Sequence, residues 1–309
     1  MLDRIARLRD NITKVFLGKA EAVDRVICCL LARGHILIED VPGVGKTVLA
    51  TAVARSIDCK FHRIQLTPDL LPSDVLGVNV FNRDTSEFEF KPGPIFANII
   101  LADEINRTTP RTQTALLEAM NEATVSIDGK ILRLEQPFMV VATQNPYEFE
   151  GTYLLPENQL DRFLMRTRIG YPDPAVEARV LEERPATNSL IDLVPVMSAE
   201  EVIELQRAVD EVRIDQALLE YIVELANATR VNPELQVGLS PRGSLALAQA
   251  ARATAVMQGR EYAVPEDIYR NVLPICTHRV VTRSYTEEGA AETAVRILRS
   301  IVESIESPV

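Results

Sequence analysis

The chain has 309 residues, of which 47% are hydrophobic and 25% charged, enough for two packed domains of an ordinary water-soluble composition. Its net charge of −11 works against an extended phosphate-binding surface, and no run of Lys and Arg interleaved with aromatics is present, so nucleic acid is disfavoured as the principal substrate. Met1 is followed by a charged amphipathic stretch, not an apolar leader, and no segment approaches membrane-spanning length, so the expected location is the cytoplasm without membrane insertion.

Residues up to about Arg33 carry apolar positions at helical spacing, with Gly18 separating two expected helices. The next segment, His35-Ile-Leu-Ile-Glu-Asp-Val-Pro-Gly-Val-Gly-Lys-Thr47, is an apolar strand that breaks into a Gly-rich turn. Such a turn can aim backbone N–H groups at an anion, with Lys46 reaching terminal phosphates and the Thr47 hydroxyl reaching Mg²⁺. The candidate cradle runs Asp40, Val41, Pro42, Gly43, Val44, Gly45, Lys46, Thr47 and Val48.

Further buried strands are expected at Phe61 to Leu66, Asn98 to Ala102, Phe138 to Thr143 and Arg166 to Ile169. Strands alternating with helices predict a parallel sheet sandwiched by helices, with ligands at the carboxyl ends of the strands. The second of these runs ends in Asp103-Glu104. There Asp103 can hold Mg²⁺ directly or through water, and Glu104 can polarise an attacking water. The third ends in Gln144-Asn145-Pro146, where Asn145 can orient that water or touch a γ-phosphate. Two interruptions depart from a plain alternation. Val78 to Phe81 and Phe88 to Phe90 read as a small hairpin within the insert 70–94, and Ala123 to Leu134 as another turning at Asp128-Gly129.

Arg162, Arg166 and Arg168 cluster around the last expected core strand, and an arginine supplied at a subunit edge can spread charge on a neighbour's γ-phosphate. Spacing does not separate the three. From Glu182 to Met197 the pattern loosens around Pro185, Asn188, Ser189 and Pro195 into a linker. Four helices then follow, at Ser198 to Val212, Gln216 to Val231, Ser240 to Gln258 and Pro265 to Val280, with a last near Glu292 to Glu306. Ser240-Pro241-Arg242 starts one of them, which puts Arg242 at a positive helix end where an anion would be welcome. The four cysteines and three histidines show no metal-ligand spacing and read as core thiols and scattered imidazoles.

Together these motifs resemble the AAA+ ATPases, and most closely the MoxR family. The resemblance rests on Leu37 to Thr47, Ala102-Asp-Glu-Ile-Asn-Arg107, Gln113 to Met120, Ala142-Thr-Gln-Asn-Pro146, Leu160-Asp-Arg-Phe163, Gly238-Leu-Ser-Pro-Arg-Gly243 and His278-Arg279, spanning nearly the whole chain. It implies an α/β P-loop AAA+ core over residues 1–184, a linker over 185–197 and a smaller all-helical lid over 198–309. It gives Lys46, Thr47, Asp103 and Glu104 the Walker roles, with Thr47 and Asp103 at the metal. Asn145 becomes sensor 1, Arg162 the arginine finger and Arg242 sensor 2. Val15 to Gly18 resembles the segment that packs on adenine, and the two hairpins resemble pore-facing insertions. The first glycine of the general phosphate-loop pattern is replaced by Asp40, as is common in this family.

The implied function is Mg²⁺-dependent ATP hydrolysis in a hexameric ring, with ATP bound between core and lid. The coupled work would be chaperone-like remodelling or activation of a protein partner, one with a von Willebrand factor A domain, in metal-cofactor insertion or complex maturation. The rivals are a nucleotide-gated binding module with slow hydrolysis and a motor stimulated by nucleic acid.

Overall fold

The structure, a computed structural model, describes residues 1–146, 151–183, 190, 192–283 and 287–308. The linker residues Pro185, Asn188 and Ser189 lie outside these.

Two helices open the chain, α1 (Leu2–Thr13) and α2 (Ala20–Leu31), each burying one apolar stripe, as with Ile5, Leu8 and Ile12 of α1. The strand β1 (Ile36–Glu39) follows, and the Gly-rich turn leads into α3 (Lys46–Ser56). A two-residue strand β2 (Ile57–Asp58) precedes β3 (Phe61–Gln65). After the short α4 (Pro72–Leu76), β4 (Gly77–Asn82) and β5 (Glu87–Pro92) form the first hairpin. Next come β6 (Ile99–Asp103), a turn of 3₁₀ helix at Ile105–Arg107 and α5 (Pro110–Glu122). The second hairpin is β7 (Thr124–Ile127) with β8 (Lys130–Arg133), and its turn at Asp128 and Gly129 has φ of 49° and 77°. Those two positive values are what a two-residue turn between twisted strands requires.

The core strands end with β9 (Met139–Gln144) and, after α6 (Glu157–Leu160), β10 (Met165–Thr167). All five pair in parallel in the order β10-β1-β9-β6-β3. The last strand begins one residue before the expected Arg166 to Ile169, because the Leu164 N–H is bonded to the His35 carbonyl and starts the register there (2.8 Å), and it ends two residues sooner, where the Ile169 and Gly170 N–H groups go to the Asp40 carboxylate. Residues of β1, β6 and β9 are buried on both faces. Ile36, Ile38, Leu101 and Val141 join the side of α1 to α3, while Leu37, Ile100, Val140 and Phe163 face α5. Near-continuous apolar runs are the signature of strands buried in this way.

Beyond α7 (Pro174–Glu183), the strand β11 (Met197–Ser198) pairs in parallel with β2 and leads into α8 (Ala199–Glu211), capped by Ser198 and Glu201. Helices α9 (Gln216–Val231), α10 (Pro241–Met257), α11 (Pro265–Cys276) and α12 (Glu287–Ser304) complete the chain. One detail departs from an all-helical second half. Strands β12 (Leu235–Val237) and β13 (Val281–Thr282) form a short antiparallel ribbon, too brief to leave an alternating pattern. The helices share one apolar core with α1 and α2. No helix of the described residues is long and apolar enough to cross a membrane.

His35 is buried where β1 begins. Its Nδ1 accepts from the Val140 N–H (3.0 Å) and its Nε2 donates to the Met120 carbonyl (2.9 Å), so the neutral ring ties β9 to α5. Burial lowers its pKa to about 4 from 6.5, although the Met120 contact opposes the shift. Between those values the unfolded chain binds a proton that the folded chain refuses, so stability is present above pH 6.5 and falls as pH drops towards 4. The full loss is about 3 kcal/mol. Urea unfolding of the wild type across this window is expected to show a steeper pH slope than His35→Gln, by up to about 1.4 kcal/mol per pH unit. Equal slopes would contradict the assignment.

Candidate nucleotide site

The carboxyl ends of β1, β6 and β9 converge on one edge of the sheet. At the end of β1, Gly43 and Gly45 have φ of 88° and 92°, a left-handed conformation in which a side chain is strained. Gly45 caps α3, so the loop amides and the helix N terminus face one way. The ammonium of Lys46 turns back over the loop and donates to the carbonyls of Asp40 (2.6 Å) and Gln144 (3.2 Å). Burial lowers the Lys46 pKa, against the pull of Asp40, Asp103, Glu104 and Glu39. The Phe16 ring lies 3.4 Å from the position that a Cβ on Gly45 would take, which puts the segment Val15 to Gly18 beside the loop.

Asp103 is the centre of a dense network. Its Oδ1 accepts from the Thr143 hydroxyl of β9 (2.6 Å), while its Oδ2 accepts from Arg63 Nε (3.1 Å) and NH2 (2.7 Å) of β3. The Thr47 hydroxyl of α3 lies 3.4 Å from the same Oδ2. Glu104 has a left-handed φ of 58°, and its N–H donates to the Thr143 hydroxyl (2.9 Å). Its carboxylate accepts from Gln65 Nε2 (2.9 Å) and pairs with Arg107 (3.3 Å). Asn145 follows β9, and its carbonyl accepts from Asn106 Nδ2 (3.4 Å). A hydroxyl and a carboxylate oxygen on facing elements suit Mg²⁺, which takes few protein ligands and keeps water and phosphate oxygens for the rest.

Asp40 does something a glycine could not. Its buried carboxylate accepts from the N–H of Val41 (2.9 Å), Ile169 (2.8 Å) and Gly170 (2.6 Å), splicing the loop to the outlet of β10. The part of Asp40 turned towards Lys46 is its carbonyl.

The remaining candidates lie elsewhere. Arg162 precedes β10, at the start of the strands, so it stands roughly 13 Å from the phosphate loop along the four residues of β1. Its NH1 is buried with no hydrogen-bond partner among the described residues. Arg242, expected to meet a phosphate at its own helix end, instead has Asp161 as counter-charge (Nε to Oδ2, 3.4 Å) and donates to Asn121 (2.9 Å). Both arginines therefore occupy the end of the sheet opposite to Lys46 and Asp103, and the helices do not close Arg242 over the chain's own phosphate loop. Arg166 is neutralised by Glu39, and Arg168 is exposed.

The sequence profile of the ATPase family associated with various cellular activities (AAA) matches residues 35–165, and that of the AAA lid domain matches residues 227–301. The crystal structure of a candidate ATPase from Cytophaga hutchinsonii matches with a TM-score of 0.89 at 37% identity, over 100% of this chain and 96% of that one. The uncharacterized protein YeaC of Bacillus subtilis is 49% identical over 97% of this chain and 93% of its own length. Chaperone MoxR1 of Mycobacterium tuberculosis is 38% identical over 94% of this chain and 80% of its own. The chain belongs to the MoxR family of AAA+ ATPases.

In this MoxR-type ATPase several site neighbours carry no motif of their own. Arg63 and Gln65 flank Ile64 on a strand read from sequence as simply buried, and polar residues two apart on one face were the signal available. Thr143 sits inside the segment quoted for Asn145, but only pairing of β6 with β9 reveals its two bonds. Removing the Asp40 carboxylate leaves three backbone donors without their partner. Asp40→Ala is expected to lower unfolding free energy in urea by about 1–3 kcal/mol and to weaken nucleotide binding. Wild-type stability would show that water replaces the carboxylate.

Proposed function

We propose that the chain is a Mg²⁺-dependent ATPase, working in a hexameric ring in which each nucleotide is bound by one subunit and completed by the next. The observation that carries this reading is the separation of the two halves of the site. The phosphate loop, Asp103 and Glu104 lie at one end of the sheet, while Arg162 and Arg242 lie at the other. A head-to-tail assembly supplies the missing half to every site, and heterologous contacts of that kind form a ring when the rotation between subunits closes.

In this mechanism the loop from Val41 to Val48, through its amides from Gly43 onward, and the ammonium of Lys46 bind the phosphates, with Lys46 exchanging its two carbonyl acceptors for phosphate oxygens. Thr47 and Asp103 would hold Mg²⁺, which would supply positive charge against that of the phosphates. Glu104 takes the proton of the attacking water after giving up its bond from Gln65, and Asn145 orients that water. The neighbour's Arg162 stabilises charge on the γ-phosphate, with Arg242 beside it, and Arg166 is disfavoured for this task by its pairing with Glu39.

The core is residues 1–184 and the lid 198–309, joined by the linker 185–197. Hydrolysis moves one against the other and displaces the two hairpins, which are tied together by Asn79 and Asp128 (2.5 Å). The work done is chaperone-like remodelling or activation of a protein partner in the cytoplasm. We favour a partner with a von Willebrand factor A domain, matured or loaded with a metal cofactor.

Glu104→Gln is expected to bind ATP as the wild type does while losing nearly all turnover, measured by nucleotide titration and phosphate release. Normal turnover would refute its role as base. Arg162→Ala is expected to keep nucleotide affinity and lose about 10³-fold or more in kcat. Adding Glu104→Gln subunits, whose arginines are intact, should restore part of that activity. Absence of any rescue would remove Arg162 from the shared site.

A further inference from the structure

His278 and Arg279 lie just past α11, far from the phosphate loop, and the mechanism above gives them no task. Their contacts fall on the turn that carries Arg162. A single guanidinium, that of Arg279, donates to three backbone carbonyls there: Asp161 (3.3 Å), Phe163 (2.7 Å) and Leu164 (3.0 Å). The same group pairs through Nε with Asp161 Oδ1 (2.7 Å) and reaches back through NH1 to the Ile275 carbonyl in α11 (2.6 Å). His278 Nε2 lies 3.0 Å from the Phe163 carbonyl and 2.8 Å from Arg279 NH1, so it can donate to the first or accept from the second.

The Arg279 side chain is only 3% exposed, against 23% for Asp161. Burying a charge costs several kcal/mol unless its partners are well placed, and apolar packing is often as stable. Here the planar fork of donors is matched to carbonyls on both sides of Arg162, a match that an ammonium or an apolar chain cannot reproduce. Asp161 also lies 3.4 Å from Arg242, so the pair of a buried arginine and a half-buried carboxylate braces both arginines.

We propose that Arg279 is a positioning residue: it locks the Arg162 turn to the end of α11, so that the pose of the helical domain in one subunit sets how the arginine is presented to the nucleotide of the next. The proposal rests on the reading of Arg162 as a residue shared between subunits. Movement of α11 then carries the turn with it, and hydrolysis at one site responds to the lid of its neighbour. The chain links sites by a rigid connection with named contacts at both ends, with no change required in the nucleotide pocket that Arg279 does not touch.

The test uses the full chain carrying Arg279→Lys, which keeps the charge and removes the fork. The expected result is a fall in kcat of about tenfold or more with KM and the affinity for a fluorescent ATP analogue within about twofold of wild type. Mixing with Glu104→Gln subunits should raise turnover above that of either alone, because their intact turns serve the sites of the Arg279→Lys subunits. A role confined to folding or to the subunit's own nucleotide predicts no such rescue. Unchanged kcat, or loss of nucleotide binding together with kcat and no rescue, overturns the proposal. If Arg279→Lys does not fold, Asp161→Asn carries the test, with a smaller kcat loss and the same rescue expected; wild-type turnover from it is a negative result. Arg162→Ala separates the two ideas. Normal turnover there removes the shared-arginine reading, whereas loss there with full activity in Arg279→Lys removes only the coupling.

Discussion

One carboxylate, that of Asp103, ties together the edge of the sheet on which the site depends. It accepts from Thr143 on one neighbouring strand and Arg63 on the other, and it faces the Thr47 hydroxyl at the start of α3. Four elements distant in sequence are thereby held at one point. Thr143 also receives the N–H of Glu104, so the two adjacent acidic residues are oriented by the same hydroxyl and sent different ways. A buried anion of this kind is tolerated because every lone pair in use meets a donor, and the cationic neighbours Lys46 and Arg63 offset its charge.

The opposite end of the sheet is organised by the complementary charge. Asp161 and Arg279 form a pair that is mostly removed from solvent, with Arg242 beside it and Arg162 one residue away in the chain. Acidic residues that suit a metal-bound triphosphate and arginines that suit its developing charge therefore sit on separate faces of one subunit. Each end is balanced within the chain by its own pairs, Asp103 with Arg63 and Asp161 with Arg242 and Arg279, so the two sets of charges do not meet in one subunit. The replacement of a phosphate-loop glycine by Asp40 belongs to the same logic of bracing: the carboxylate fastens the loop to the exit of β10, the strand that the Arg162 turn feeds.

Legibility from sequence followed the range of the forces involved. The turn at Asp128 and Gly129, the helix start at Ser240 and the strand carrying Asp103 rest on interactions within a few residues, and each is written in local residue types. Where a strand is two or three residues long, local pattern carries little. The ribbon of Leu235–Val237 with Val281–Thr282 and the first residue of β10 depend on partners far along the chain. The roles of Arg63, Gln65 and Arg279 are likewise pairings across 39 to 118 positions, and a single arginine in a sequence does not name its acceptor.

By itself, then, the sequence determined the class of fold and the order of its main strands and helices, and it marked the Gly-rich loop and the acidic pair as candidates for one site. Hydrophobic periodicity and backbone-restricted residues are local physics, and they were enough for that. Only the tertiary structure decided which arginine faces which carboxylate. It assigned Arg166 to Glu39 and Arg242 to Asp161, and it left Arg162 at the far end from its own phosphate loop. The reason is that charge pairing is set by distance in space, and distance is a property of how strands are ordered in the sheet and not of their order in the chain.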